Sequence, residues 1–262
     1  MTTNIVNEAE NALYQILGAV SATDAPIAFK GALITKLILS ETEYNSIIRS
    51  TSDIDANWVG EKPSMEEIKE IVGDALQRYK SNYKVEVKRE YGENRSAGLV
   101  IIDKNTEKKV VSMDVDLKPI YGIKTYYYGE IEINGVLPTD IMADKIYVLS
   151  SSAIFKRAKD MVDVYALSHC VNLTTSEIYE TIEMKGREVG EFKEFLNSYN
   201  ELNHAYNRLL RIQNKPPFEE TYKHLKEFLA PFIYLDRCSK IWRASQLYWQ
   251  NGIMREITPI EY

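Results

Sequence analysis

The spacing of apolar residues changes character once along this 262-residue chain, and that change limits the folds open to it. Before Thr139, stretches of period two alternate with amphipathic stretches; from Thr139 onward the period turns helical and stays so. Ala9, Leu13, Ile16 and Leu17 mark a first helix over 5–20. Pro26–Phe29 reads as a short strand running into a turn at Gly31, and Ala32–Ser40 as a helix. Ser52–Val59 reads as a strand carrying two acids. Ser64, with Glu67 three residues on, predicts the start of a helix that runs to about Tyr79. Tyr83–Tyr91, Ala97–Asp103 and Lys109–Leu117 read as strands, with Tyr126–Ile133 as a further one. Five helices follow: Thr139–Leu149, Ile154–Cys170, Ser176–Lys185, Phe192–Gln213 and Phe218–Leu229. The expected class is α+β, with residues 1–138 as an α/β lobe built on a mixed sheet and 139–262 as an α-helical lobe contributing to a cleft. The boundary falls between Pro138 and Ser151.

Composition narrows the function classes. Apolar residues make up 45% and charged residues 27%, the balance of a water-exposed globule. The net charge is −6: residues 1–150 hold 17 basic and 23 acidic side chains, and 151–262 hold 15 of each. No global basic footprint for nucleic acid exists, so any RNA contact must be local. Cys170 and Cys238 are the only cysteines, too few for a disulfide framework or a zinc site. No apolar run approaches the ~18 residues of a membrane helix. Met1–Glu10 lacks an apolar signal core, and a cytoplasmic protein is the simplest reading.

The chemistry concentrates in few places. In Ser52-Asp53-Ile54-Asp55, alternation on a strand turns Asp53 and Asp55 to one side and Ile54 into the core. Two adjacent carboxylates repel, and a divalent cation with oxygen ligands relieves this. About twenty residues earlier, Lys30-Gly31-Ala32 places a glycine at a helix start, where backbone N–H groups can approach a phosphate. Val111–Leu117 alternates cleanly, with Ser112, Asp114 and Asp116 on one face. A site holding two ions ~3.5–4 Å apart needs about three carboxylates. Asp114 or Asp116 supplies the third, Asp114 being preferred. Lys145 borders an apolar stripe, so it either snorkels to water or meets an anion such as a triphosphate. Asp160 and Asp163 sit in a helix among apolar residues. Asp160 either pairs with Arg157 or orients Lys145, or takes a proton from an attacking hydroxyl. His169, His204 and His224 are scattered and read as structural or solvated.

Three stretches together resemble the AbiEii/AbiGii family of nucleotidyltransferase toxins, within the DNA polymerase beta-like superfamily. The first is Phe29-Lys30-Gly31-Ala32-Leu33 followed by Arg49-Ser50-Thr51-Ser52-Asp53-Ile54-Asp55. The second is Met113-Asp114-Val115-Asp116. The third is Lys145-Ile146-Tyr147-Val148-Leu149 with Arg157 and Lys159-Asp160-Met161-Val162-Asp163. The match covers roughly residues 25–168. It departs from the family at Ala32, where a second glycine or a serine is usual, and at Val148, where the family has alanine.

The resemblance implies a polymerase-beta-like fold and transfer of NMP from an NTP to an acceptor, with pyrophosphate released. It implies Mg2+ or Mn2+ on Asp53 and Asp55 with Asp114 or Asp116. Lys30, Gly31, Ala32 and Lys145 would bind nucleotide, and Asp160 would orient Lys145 or act as base. It also implies an RNA acceptor such as tRNA, a role in a toxin–antitoxin or phage-defence pair, and a separate antitoxin. Two other readings stay open. A degenerate fold could act as a non-catalytic binding module, which Ala32 and the absent basic surface suggest. Alternatively, the same site could serve a protein or small-molecule acceptor, which the acidic balance suggests.

Overall fold

The computed structural model describes residues 8–49, 51–79, 82–90 and 96–252. The chain forms two compact units, Met1–Ile141 with Arg211–Asn214, and Met142–Leu210 with Lys215–Tyr262.

The first unit contains α1 (Glu8–Ser21), β1 (Ile27–Lys30), α2 (Gly31–Leu39), β2 (Ile48–Arg49), β3 (Asp53–Trp58) and α3 (Met65–Tyr79). Then come β4 (Tyr83–Arg89), β5 (Ser96–Asp103), β6 (Lys108–Asp116), β7 (Ile123–Tyr128) and β8 (Ile131–Val136). Seven strands make one mixed sheet in the order β4-β5-β6-β3-β1-β8-β7. The pairs β3/β6 and β1/β8 are parallel, the rest antiparallel. Ile54, Ala56, Leu99, Ile101, Val111, Met113 and Val115 form its apolar face, each fully shielded from solvent. In α1, Leu13, Ile16, Leu17 and Val20 are buried at the i, i+3, i+4, i+7 spacing of a helix stripe. This helix packs on β1, β8 and α3, while α2 packs on β1, β3 and β7. The start of α3 is a reciprocal cap: Glu67 N donates to Ser64 Oγ (3.1 Å) and Ser64 N donates to the Glu67 carboxylate (3.3 Å).

Helix α4 (Pro138–Leu149) runs across the division at Ile141. The second unit then holds α5 (Lys159–Cys170), β9 (Leu173–Thr174), α6 (Thr175–Met184), α7 (Lys193–Asn197) and α8 (Tyr199–Asn207). The strand β10 (Ile212–Gln213) belongs to the first unit, where it pairs antiparallel with β2. Helices α9 (Phe218–Phe228) and α10 (Ala230–Ile233) and strands β11 (Lys240–Arg243) and β12 (Tyr248–Asn251) complete the second unit. Helix α5 is buried at every position from Asp160 to Ser168, so it is the core of this unit. Aromatic rings close that core. Trp242 lies 4.9 Å from Phe228 and 5.3 Å from Trp249 between ring centroids. Both indoles are satisfied, Trp242 Nε1 donating to Ser168 O and Trp249 Nε1 to Phe228 O.

The α+β class holds, and four details differ from the sequence expectation. The strand expected over Tyr126–Ile133 is the hairpin β7–β8, because Gly129 takes φ +59 and turns the chain. The helix expected from Ile154 begins at Lys159; Ser151 Oγ accepts from Ala153 N and starts a separate short helical turn over Ser152–Phe155. The helix expected over Phe192–Gln213 breaks at Ser198 into α7 and α8, and its last residues form β10. Finally, the helical period does not persist to the end: β9, β11 and β12 form a three-stranded sheet. The expected start of the first helix at 5–7 and the strand end at Tyr91 lie outside the described residues.

His169 and His224, separate in sequence, stack with ring centroids 4.1 Å apart. Ser168 Oγ donates to Tyr165 O, which leaves its lone pairs for His224 Nε2–H at 2.7 Å. Burial first, and the neighbouring His169 second, push His224 down from 6.5 to about 3. The folded chain therefore refuses a proton that the unfolded chain takes up near pH 6.5. The stabilisation is fully present above pH 6.5 and is lost as pH falls toward 3, by up to ~1.4 kcal/mol per pH unit. Urea unfolding between pH 7 and 4 should show that loss, and His224→Phe should flatten it relative to wild type.

Candidate active site

Every acid of the candidate centre in the first unit owes its place to strand register. Parallel pairing sets Asp53 beside Ser112, Asp55 beside Asp114, and Asn57 beside Asp116. Paired residues share a face, so Asp53, Asp55, Asp114 and Asp116 all stand on the polar face of the sheet. Ile54, Met113 and Val115 stand on the other, in the core. Burying that apolar face fixes the register, because a one-residue slip would bury the acids and expose the core.

The glycine turn adjoins the same face. Lys30 pairs with Asp55 across β1 and β3. Gly31 follows with φ +73, a conformation that a side chain resists. A Cβ at Gly31 would lie 3.2 Å from the Asp55 Cβ and Cγ, and closer still to its Oδ2. Only a bare backbone lets Asp55 lie against the turn. Lys30 occupies the cap position of α2 without a side-chain cap bond, so the first N–H groups of that helix are not closed off by it. Ala32, next in line, is buried.

Cations hold the outer acids. Lys30 Nζ lies 3.2 Å from Asp116 Oδ2, and Asp116 Oδ1 accepts from Lys118 N at 3.0 Å. Arg89 Nη2 lies 3.0 Å from Asp114 Oδ1 and from Ser96 Oγ. Ser52 Oγ donates to Asp53 Oδ2 at 3.3 Å. Among the described residues, no three acidic, histidine or cysteine side chains are drawn around one point as a finished metal cage. The donors are nonetheless of the right kind, hard carboxylate oxygens on one face beside a turn that a Cβ would fill. A cleft of about 430 Å³ opens on this face, lined by Asp53, Ser112 and Asp114 and by the cations Lys88, Arg89 and Lys109.

The remaining candidates lie in the second unit. Lys145 Nζ sits 3.1 Å from Asp160 Oδ1 and 2.5 Å from Asp163 Oδ2. Arg157 Nη2 lies 2.9 Å from Asp160 Oδ2. Lys145, Asp160 and Asp163 are all buried. Asp160 therefore contacts Arg157 and Lys145 together. Arg49 and Ser50, which share in the resemblance, are not described at the level of side chains.

Sequence reasoning missed Lys88, Arg89, Lys109 and Gly98. No signal in the residue pattern flags them, since the placement of the cations depends on register shifts in the β4/β5 and β5/β6 pairs.

Among the described residues, no helix is long and apolar enough to cross a membrane. No curated protein sequence matches the chain. Among solved structures, the fold is similar to MenT4, a nucleotidyltransferase toxin from Mycobacterium tuberculosis H37Rv. The TM-score is 0.51 at 14% identity, over 85% of this chain and 83% of that one. An antigenic nucleotidyltransferase-like protein from Paracoccidioides brasiliensis aligns at TM-score 0.41 and 13% identity, over 83% of this chain and 93% of that one. The profile of the nucleotidyl transferase AbiEii toxins of type IV toxin–antitoxin systems matches residues 14–245. Taken with the carboxylate strand and the glycine turn, that match makes this chain a member of the AbiEii nucleotidyltransferase toxin family, and so an enzyme with an NTP substrate and an antitoxin counterpart.

Proposed function

We propose that the chain transfers NMP from an NTP to an RNA acceptor, tRNA foremost, in a reaction dependent on Mg2+ or Mn2+. The observation that carries this reading is the parallel register of Asp55 with Asp114, beside a glycine whose Cβ would strike Asp55. Asp53 and Asp55 hold the metal, and Asp114 completes the set. Asp116 is the weaker choice, since Lys30 and Lys118 N already engage both of its oxygens. When bound, the divalent cation neutralises charge on the phosphates as pyrophosphate leaves.

The chain's own groups bind and orient. The backbone at Gly31 and Ala32 and the first N–H groups of α2 accept phosphate oxygens. Lys30 adds positive charge at that turn. In the second unit, Asp160 and Asp163 clamp the Lys145 ammonium, which supports Asp160 as the group that orients this lysine for a phosphate. A toxin of this kind arrests growth by altering host RNA, in the cytoplasm where NTP and RNA are supplied, and its antitoxin relieves that arrest. Such arrest is also a route to phage defence.

Incubation with each labelled NTP, Mg2+ and total tRNA should put label on RNA. Asp53→Asn and Asp55→Asn should each lower transfer by at least ~100-fold at unchanged thermal stability, as loss of an electrostatic anchor at a reacting phosphate does. Label in a protein or small-molecule fraction would redirect the acceptor, and no transfer to any fraction would overturn the enzymatic reading.

Gly31→Ala forces a side chain into a left-handed turn and against Asp55. It should lose about 1 kcal/mol or more of stability by denaturant unfolding and weaken NTP binding in calorimetry. Lys145→Met leaves Asp160 and Asp163 buried without their cation, and should cost about 3–5 kcal/mol in the same unfolding assay.

A further inference from the structure

On the sheet, Gly31 follows directly on β1, to one side of the carboxylates, and the cleft extends to the other side, toward β5 and β4. The cations of that cleft reach it through two slips in strand pairing. Regular alternation would put Arg89 on the same face as Val85 and Val87, toward the core. Instead Val87 pairs with Leu99 and Arg89 with Gly98, which leaves Lys88 as an extra residue and turns Arg89 to the polar face. The second slip acts the same way on β6. Val111 pairs with Ile101 and Lys109 with Ile102, so Lys109 moves off the apolar face of Val111. Bulges of this kind re-aim side chains, and here both re-aim a cation into one cleft.

Gly98 is the cross-strand neighbour of Asp114 and of Arg89 at once. A Cβ there would lie 3.2 Å from Arg89 Cβ and 3.5 Å from Asp114 Oδ1. Its bare backbone leaves the gap through which Arg89 reaches the acid. That ion pair is loosely held: the two side chains are 56% and 51% exposed, and such pairs contribute only ~0–1 kcal/mol. A phosphodiester offers the guanidinium fork two oxygens at once, whereas Asp114 engages it through a single contact. The Ser112 hydroxyl, buried in the same cleft, meets no hydrogen-bond partner among the described residues and can donate to an incoming oxygen.

We propose that Arg89, with Lys88 and Lys109, seats the phosphodiester backbone of the acceptor strand, and that Arg89 gives up Asp114 in doing so. The proposal rests on the transfer reading above and adds an acceptor side to it. Arg89 is thereby a positioning residue with two states. Without acceptor it holds Asp114 and competes with a metal ion for that carboxylate. With acceptor it turns to phosphate and leaves Asp114 to the metal. The two lysines suit the repeated anionic charge of a phosphodiester strand, which a protein or small-molecule hydroxyl would not bring.

The test is anisotropy of fluorescein-labelled tRNA over a NaCl series without NTP, paired with calorimetry of Mn2+ binding without RNA. Arg89→Ala should weaken tRNA binding at least fivefold and reduce the log–log salt slope by about one. It should also tighten Mn2+ binding, since Asp114 is released. Arg89→Lys should restore the salt slope and only part of the affinity. Lys88→Ala and Lys109→Ala should each lower tRNA affinity without changing Mn2+ binding. Unchanged tRNA affinity, slope and Mn2+ binding in Arg89→Ala would overturn the proposal while wild-type transfer to tRNA still stood. Conversely, Arg89-dependent tRNA binding in a protein that transfers NMP to nothing would sink the transfer reading and leave the seat.

Discussion

The parallel pairing of β3 with β6 is the constraint on which the first unit depends. It settles two matters at once. The apolar residues of both strands must enter the core together, and their burial locks the register against slippage. The same register then obliges Asp53, Asp55, Asp114 and Asp116 to share the opposite face. Like charges crowded on one face are unfavourable in isolation, and the structure answers with counter-charges: Lys30 against Asp116 and Arg89 against Asp114. A core requirement thus maintains an arrangement of acids that serves no packing purpose, which is what a site for cations and phosphates looks like.

The second unit manages charge differently. Helix α5 is buried on all sides, yet it carries Asp160 and Asp163. Isolated charges there would be prohibitive, and Lys145 between them is what makes their burial tolerable. His224, stacked on His169, obeys the same rule by a different route, staying neutral where burial penalises charge. Both arrangements make the interior of this unit specific in its polar contacts as well as in its packing.

Much of this was legible in the residues. Alternation in Asp53-Ile54-Asp55 and in Met113-Asp114-Val115-Asp116 states which side chains face the core, and the pairing agrees. The Ser64–Glu67 cap was equally plain. What could not be read is whatever depends on breaks in periodicity. The hairpin turn at Gly129, the break at Ser198 and the β11–β12 hairpin are short events inside otherwise regular stretches. The bulges at Lys88 and Val110 are harder still, because each shifts pairing by a single residue without a distinctive sequence. By alternation Arg89 should face inward with Val87, and only the observed register turns it outward. The partnership of His169 with His224 is likewise invisible, being set by the packing of α5 on α9.

The account centres on a divalent cation held on the β3–β6 face. Anomalous diffraction from crystals grown with Mn2+ and a non-hydrolysable NTP tests it directly. The predicted result is a metal peak bonded to Asp53 and Asp55 with the triphosphate at Gly31. A metal bound elsewhere, with Asp53 still held by Ser52 and Asp114 still held by Arg89, would contradict it.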